Sequence, residues 1–143
     1  MFGIFPNGQS FHEHGEMVLP ASIIIDEFIE PVHLPLSYWK ADDYRSSWRS
    51  SLGEGIRSKK HSALAVSMYE PGYTNFIFVW VVYFLGNKAA IQNSILFLDE
   101  CHGFTPEKIN DFIEPRTTHN EDGEEISEWN TNIDNVLDFY NSL

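Results

Sequence analysis

Basic residues and cysteines are scarce in this sequence of 143 residues. Nine Lys and Arg residues stand against 21 Asp and Glu residues, which gives a net charge of −12 and a pI near 4.7. Because such a surface repels polyanions, we expect no direct binding to nucleic acid or to an anionic membrane. The single cysteine, Cys101, has no partner for an internal disulfide, which is typical of cytoplasmic proteins.

Long hydrophobic runs are also missing. The longest covers residues 76–85, about half of the ~20 residues that a membrane-spanning helix needs, and it predicts a buried strand. The first residues carry no basic segment followed by an apolar one, so the sequence predicts no signal peptide and a cytoplasmic location. With 43% hydrophobic residues, the chain is long enough for one folded domain, which we expect to span residues 1–143.

Signatures of catalysis and of cofactor binding are absent from the sequence. It contains no glycine-rich phosphate loop, no paired-cysteine motif and no hydrolase or zinc-protease signature. His12 and His14 flank Glu13, but no second ligand pair has matching spacing, so we interpret this triplet as a loop without a metal. Cys101 precedes His102, although catalytic Cys and His are normally brought together by the fold rather than by adjacency. The sequence therefore predicts no enzymatic activity, no cofactor and no metal.

The first part of the chain predicts a strand followed by a helix. Polar residues extend to Glu16, and the apolar stretch over residues 22–29 is typical of a strand, with the prolines that follow confining the chain to an edge or a loop. From residue 41 the period changes to that of a helix, predicted over residues 41–57 and covering one face of a sheet. Its apolar stripe consists of Tyr44, Trp48, Leu52 and Ile56.

The second part predicts an antiparallel meander and two further helices. Strands are expected over residues 61–70, 75–85 and 88–98, with the middle strand at the centre because it is apolar on both faces. The Thr105-Pro106 pair begins a short helix over 106–113. An irregular hairpin follows, and an amphipathic helix is predicted over 132–142. The expected fold class is α+β, in a single domain.

Negative charge is concentrated near the C-terminus. Twelve of the 21 acidic residues lie between Asp99 and Asp138, opposed only by Lys108 and Arg116. Such a patch attracts a basic partner and speeds its association, although a solvated face without function has the same composition. Trp129 is equally consistent with a core residue and with an interface anchor. The candidate partner-binding residues are Glu121, Asp122, Glu124, Glu125, Glu128 and Trp129.

Short segments along nearly the whole chain resemble one family. They are LPLSYW at 34–39, DY at 43–44 with Trp48, SMYEP at 67–71, NFIF at 75–78, IQN at 91–93, LFLDE at 96–100, EPR at 114–116, EDG at 121–123 and ISEW at 126–129. Together they resemble immunity proteins of the CdiI kind, from bacterial contact-dependent growth inhibition systems. Lys40 replaces the small polar residue expected before the first helix, which puts the capping of that helix in question.

This resemblance implies a non-catalytic inhibitor that binds the C-terminal toxin domain of a CdiA-type exoprotein in the cytoplasm. Many such toxins are nucleases with positively charged substrate channels, so an acidic inhibitor is expected to occlude the active site with electrostatic assistance. The resemblance transfers no contact residue, because partner surfaces diverge between cognate pairs.

Two other hypotheses come from different classes. A small α+β enzyme or ligand-binding domain would carry a pocket between sheet and helices in which His, Asp or Tyr side chains converge. A general acidic adaptor of a cytoplasmic enzyme has the same sequence features as an immunity protein. The sequence leaves the oligomeric state open, because Phe28, Ile29 and the edge strands can be covered by this chain or by a second copy.

Overall fold

The computed structural model describes all residues from Met1 to Leu143 and contains eight strands, two α-helices and two 3₁₀ segments. The strands are β1 (Phe2–Pro6), β2 (Phe11–Glu13), β3 (Glu16–Ile25), β4 (Phe28–Pro35), β5 (His61–Ala65), β6 (Phe76–Leu85), β7 (Lys88–Phe97) and β8 (Trp129–Asn132). The helices are α1 (Ala41–Ser58) and α2 (Ile133–Ser142), and the 3₁₀ segments are Leu98–Glu100 and Pro106–Phe112. No helix combines the length and the apolar character needed to cross a membrane.

An N-terminal sheet forms where the sequence predicted one strand after a polar loop. β3 is its centre: β1 and β2 pair with different parts of one edge of β3, and β4 pairs with the other, all antiparallel. The predicted single strand over 22–29 is instead a hairpin that turns at Asp26, whose φ is +55°. No strand was predicted before residue 22, and the loop interpretation of His12 and Glu13 was wrong because both lie in β2. The pairing of β1 and β2 with β3 supplies stability that local sequence patterns do not record.

The predicted meander is confirmed as the C-terminal sheet, in the order β5-β6-β7-β8. β6 lies between β5 and β7, as its apolar character on both faces indicated. The fourth strand, β8, was missed because its sequence, Trp-Asn-Thr-Asn, is short and mostly polar. It pairs with the first half of β7, from Lys88 to Ile91.

The first strand of the meander is shorter than predicted: it ends at Ala65 rather than at residue 70. Beyond it, the hydroxyl of Ser67 accepts the backbone N–H of Phe78 at 2.8 Å in place of a strand carbonyl. The N–H of Met68 then donates to the Tyr44 hydroxyl at 3.0 Å. The chain can therefore separate from β6 after Ala65, because side-chain hydroxyls replace backbone partners of the hydrogen-bond ladder between the two strands.

Helix α1 was predicted within one residue of its bounds, and its apolar stripe faces the core as expected. The backbone N–H of Lys40 donates to the Asp43 carboxylate at 2.9 Å, so this end is capped from within the first turn. A Cβ atom on Gly55 would overlap the Ser62 hydroxyl and lie 2.7 Å from the His61 carbonyl oxygen. Glycine thus allows the last turns of the helix to approach β5 closely.

The two later helical segments differ from each other. The segment predicted as a helix over 106–113 is a 3₁₀ segment with a kink at Lys108, and it begins at Pro106 as the sequence indicated. The last helix begins at Ile133, one residue later than predicted, and buries Val136 and Phe139 most completely. The Phe139 ring contacts Phe2 of the N-terminal sheet, with ring centroids 5.8 Å apart.

One hydrophobic core of 28 buried residues joins the two sheets and both helices. The carboxylate of Asp26, at the β3–β4 turn, accepts hydrogen bonds from the N-terminal amine, from Thr131 of β8 and from Asn135 of α2. These bonds tie the N-terminal sheet to the last strand and helix. Mixed helices and antiparallel sheets around this core confirm the α+β class.

Candidate partner-binding surface

The acidic loop, residues 119–125, is an ordered turn that displays carboxylates to solvent. The side-chain oxygen of Asn120 accepts the backbone N–H groups of Asp122 and Glu124 at 3.0 and 2.9 Å. Gly123 has a φ of +80°, a conformation that favours glycine, and its N–H donates to the Asn120 carbonyl. Four of the candidate residues are exposed on this turn, namely Glu121, Asp122, Glu124 and Glu125.

The fifth acidic candidate, Glu128, occupies a different environment. Arg116 donates two hydrogen bonds to its carboxylate, at 2.6 and 2.8 Å, and Gln92 of β7 donates a third at 2.7 Å. The Arg116 hydrogen bonds hold the pKa of Glu128 below its usual value, against the opposing effect of partial burial. The charge of Glu128 is therefore largely neutralised within the chain. Its bond with Gln92 holds the segment that follows the acidic loop against the sheet.

Trp129 begins β8 and is half-buried. Its ring lies 4.5 Å from that of Phe28 and 5.4 Å from that of Trp80, measured between centroids. Part of the indole thus packs between the two sheets while part stays accessible to solvent. Phe28, whose covering the sequence left open, is covered within this chain.

A second exposed surface was not predicted. Strand β6 was expected to be buried, yet Phe76 and Phe78 are 42% and 46% exposed. Directly opposite them on β7, Phe97 and Ile95 are 49% and 42% exposed. These four residues form an apolar patch on one face of the sheet. The sequence offered no signal for it, because β7 alternates only weakly in hydrophobicity and neither of its faces could be identified as the solvent-exposed one.

The residues considered for chemistry do not come together. The Glu13 carboxylate accepts a hydrogen bond from the His33 ring at 2.8 Å. No group of three or more His, Cys, Asp or Glu side chains is placed to hold a metal ion. Burial, with smaller effects of Glu100 and Asp99, raises the pKa of the Cys101 thiol. A thiol with a raised pKa stays protonated, the opposite of what activation as a nucleophile requires.

A groove of about 250 Å³ lies between α1 and the second 3₁₀ segment. Serine side chains of α1 make up much of its wall, and its carboxylates are Asp43, Glu54 and Glu107. No His or Tyr side chain lines it. It therefore lacks the apolar walls and the converging acid and base groups that a small α+β enzyme would show.

Comparison with known proteins identifies the family. The sequence-family model of the CdiI N-terminal domain matches residues 34–139. The chain is 60% identical, over all 143 residues and 99% of the relative, to the immunity protein CdiI of Enterobacter cloacae. Its structure matches a chain of the solved CdiA-CT/CdiI toxin and immunity complex from Enterobacter cloacae with a TM-score of 0.97 and 60% identity, covering 99% of this chain and 97% of that one. The chain belongs to the CdiI family of immunity proteins.

Proposed function

We propose that this chain is a non-catalytic immunity protein. It binds the C-terminal toxin domain of the cognate CdiA-type exoprotein in the cytoplasm and neutralises it. The observation that carries this proposal is the match, at 60% identity and a TM-score of 0.97, to a chain of a solved toxin and immunity complex. The unit that binds is the whole chain, because a single core joins both sheets and both helices.

The proposed mode of action is occlusion of the active site of a nuclease toxin. A nuclease that binds a polyanion carries a basic channel, and a chain of net charge −12 is attracted to it. The carboxylates of the acidic loop stand where solvent reaches them and lie on a turn held by Asn120, so they are preorganised to replace phosphates. Trp129 and the paired Glu128 lie at the base of this loop and contribute less charge to the contact.

Growth rescue tests this proposal. The cognate toxin domain is co-expressed with the wild-type chain, and restored growth is expected. A variant in which Glu121, Asp122, Glu124 and Glu125 are all replaced by Lys is expected to protect poorly. The matched control reverses four other exposed acids, Glu27, Glu54, Glu70 and Asp138, and changes net charge equally.

If the control variant protects as poorly as the loop variant, overall charge rather than the acidic loop directs binding. Full protection by the loop variant would refute phosphate replacement by this loop. Absence of rescue by the wild-type chain would refute the immunity function itself.

A further inference from the structure

The apolar patch is a continuous surface rather than four scattered side chains. Phe76 faces Phe97 across the β6–β7 pair, and Phe78 faces Ile95, so all four project from one face of the sheet. The rings of Phe76 and Phe78 meet edge to face with centroids 5.4 Å apart. Directly opposed residues of neighbouring strands lie within contact distance, so the four form one apolar surface.

The fold itself does not use this surface. The same face continues along β6 and β7 into Trp80 and Ile91, which are buried against β4 and β8. Beyond these two residues no other element covers this face of the sheet. This is the end of the sheet at which β5 stops, after Ala65. Aromatic and aliphatic side chains held in water cost free energy, and contiguous exposed patches in soluble proteins mark interaction sites.

Acidic side chains border the patch on two sides. A groove of about 470 Å³ separates it from β4 and contains Glu30. A second groove of about 400 Å³ lies across the edge of β7 that is unpaired beyond Ile91, between the opposite face of the sheet and the 3₁₀ segments, and contains Glu100, Asp111 and Glu114. Neither groove is lined by Lys or Arg, and the single basic side chain, His33, is bonded to Glu13. The two grooves meet at Ser94 and Ile95.

The apolar patch and the carboxylates near it determine which kind of partner can bind there. An apolar centre with a rim of carboxylates complements an apolar protrusion surrounded by Lys and Arg side chains. A second copy of this chain is a poor match, because it would bring four further carboxylates to the rim and another −12 of net charge.

We propose that the apolar patch is the anchor of the toxin interface, and that the basic toxin domain seats an apolar element on Phe76, Phe78, Ile95 and Phe97. This inference rests on the proposed function and adds the surface through which it acts. Buried aromatic side chains at the centre of an interface carry most of its affinity, whereas rim charges act mainly on the association rate. The patch therefore determines the dissociation rate. The four surrounding carboxylates, of Glu30, Glu100, Asp111 and Glu114, increase the association rate.

Association and dissociation rates measured with the purified cognate toxin domain test this assignment. The double variant Phe78→Ala/Phe97→Ala is expected to bind more than ~10-fold more weakly, through faster dissociation. Leu85→Ala, which truncates a side chain 44% exposed at the other end of β6, is the matched control and is expected to bind as the wild type does. Glu100→Gln/Glu114→Gln is expected to slow association roughly severalfold at low salt and to leave dissociation unchanged.

Each alternative outcome is distinguishable. Wild-type binding with an unchanged Phe78→Ala/Phe97→Ala variant, whose unaltered thermal unfolding confirms that it is folded, would overturn the patch assignment and leave the immunity function standing. A wild-type chain that does not bind the toxin at all would overturn both. A concentration-dependent dimer of the wild-type chain that the double variant abolishes would identify a second copy as the occupant, and would also overturn the assignment.

Discussion

Two isoleucines on one strand lie in opposite environments. Ile91 and Ile95 project from the same face of β7, four residues apart, yet Ile91 is fully buried and Ile95 is 42% exposed. At Ile91 the strand has β8 beside it, with Trp129 directly opposite. At Ile95 β8 has ended and β4 no longer covers the face.

The difference shows that one hairpin serves two purposes. Its first part contributes to the core that joins both sheets, where burial stabilises the fold. In its far part Ile77 and Leu96 still belong to the core, but the four exposed residues of the apolar patch do not, and this is why we assign the patch to a partner. The following predictions test this division, starting with the largest expected effect on the free energy of unfolding.

Truncating the two isoleucines should show that the two parts of β7 contribute differently to the free energy of unfolding. Ile91→Ala removes fully buried methyl and methylene groups and is expected to lower the free energy of unfolding by about 2–5 kcal/mol. Ile95→Ala truncates a half-exposed side chain and is expected to cost about 1 kcal/mol or less. Urea denaturation of both variants, followed by tryptophan fluorescence, gives the two values. Equal losses would show that the patch is part of the folding core.

The buried hydroxyl of Tyr44, which accepts from the chain just beyond β5, gives the next largest effect. Tyr44 donates to the Pro35 carbonyl at 2.7 Å and accepts from the Met68 N–H at 3.0 Å. Tyr44→Phe leaves both buried groups without a partner, so we expect a loss of about 1–3 kcal/mol. Tyr73→Phe is the matched control, because Tyr73 is 86% exposed and its change should be negligible. A stable Tyr44→Phe variant in thermal unfolding would contradict the role given to this hydroxyl.

Elements of the fold differ in how well the sequence predicts them. The α1 stripe and the β6–β7 hairpin were predicted because their periods and turn are local signals. The N-terminal sheet and β8 were missed, since their stability comes from pairing with residues distant in sequence. The exposure of Phe76 and Phe78 could not be predicted for a related reason. An apolar strand reveals that it prefers burial, but not where its covering elements end.

A pH measurement tests the link on the opposite face of the hairpin, where Gln92 contacts Glu128. The pKa of Glu128 is lowered by its hydrogen bonds with Arg116 and Gln92. Its contribution is therefore present above its unfolded value of 4.5 and is lost as pH falls through the lower folded value. Glu128→Gln is expected to be about 1 kcal/mol less stable at pH 7, with the difference from wild type vanishing under acidic conditions. A difference that is constant from pH 7 to pH 3 would contradict this assignment.

The smallest effect on stability is expected at the acidic loop. Replacing Glu121, Asp122, Glu124 and Glu125 by Gln should change the free energy of unfolding by about 0.5 kcal/mol or less, because these side chains make no hydrogen bond or ion pair within the chain. The same variant should associate more slowly with the toxin at low salt, and the deficit should shrink as salt is raised. Stopped-flow association at several salt concentrations measures this. An unchanged association rate would exclude the loop from electrostatic attraction.

The central proposal is that this chain neutralises its cognate toxin domain by binding it, and titration of toxin activity tests it most directly. The purified cognate toxin domain is held at a fixed concentration well above the dissociation constant, and its activity, proposed to be cleavage of a nucleic acid, is followed as this protein is added. Activity is predicted to fall in a straight line and to vanish at one equivalent. Cleavage that continues at full rate in the presence of excess protein would contradict the account.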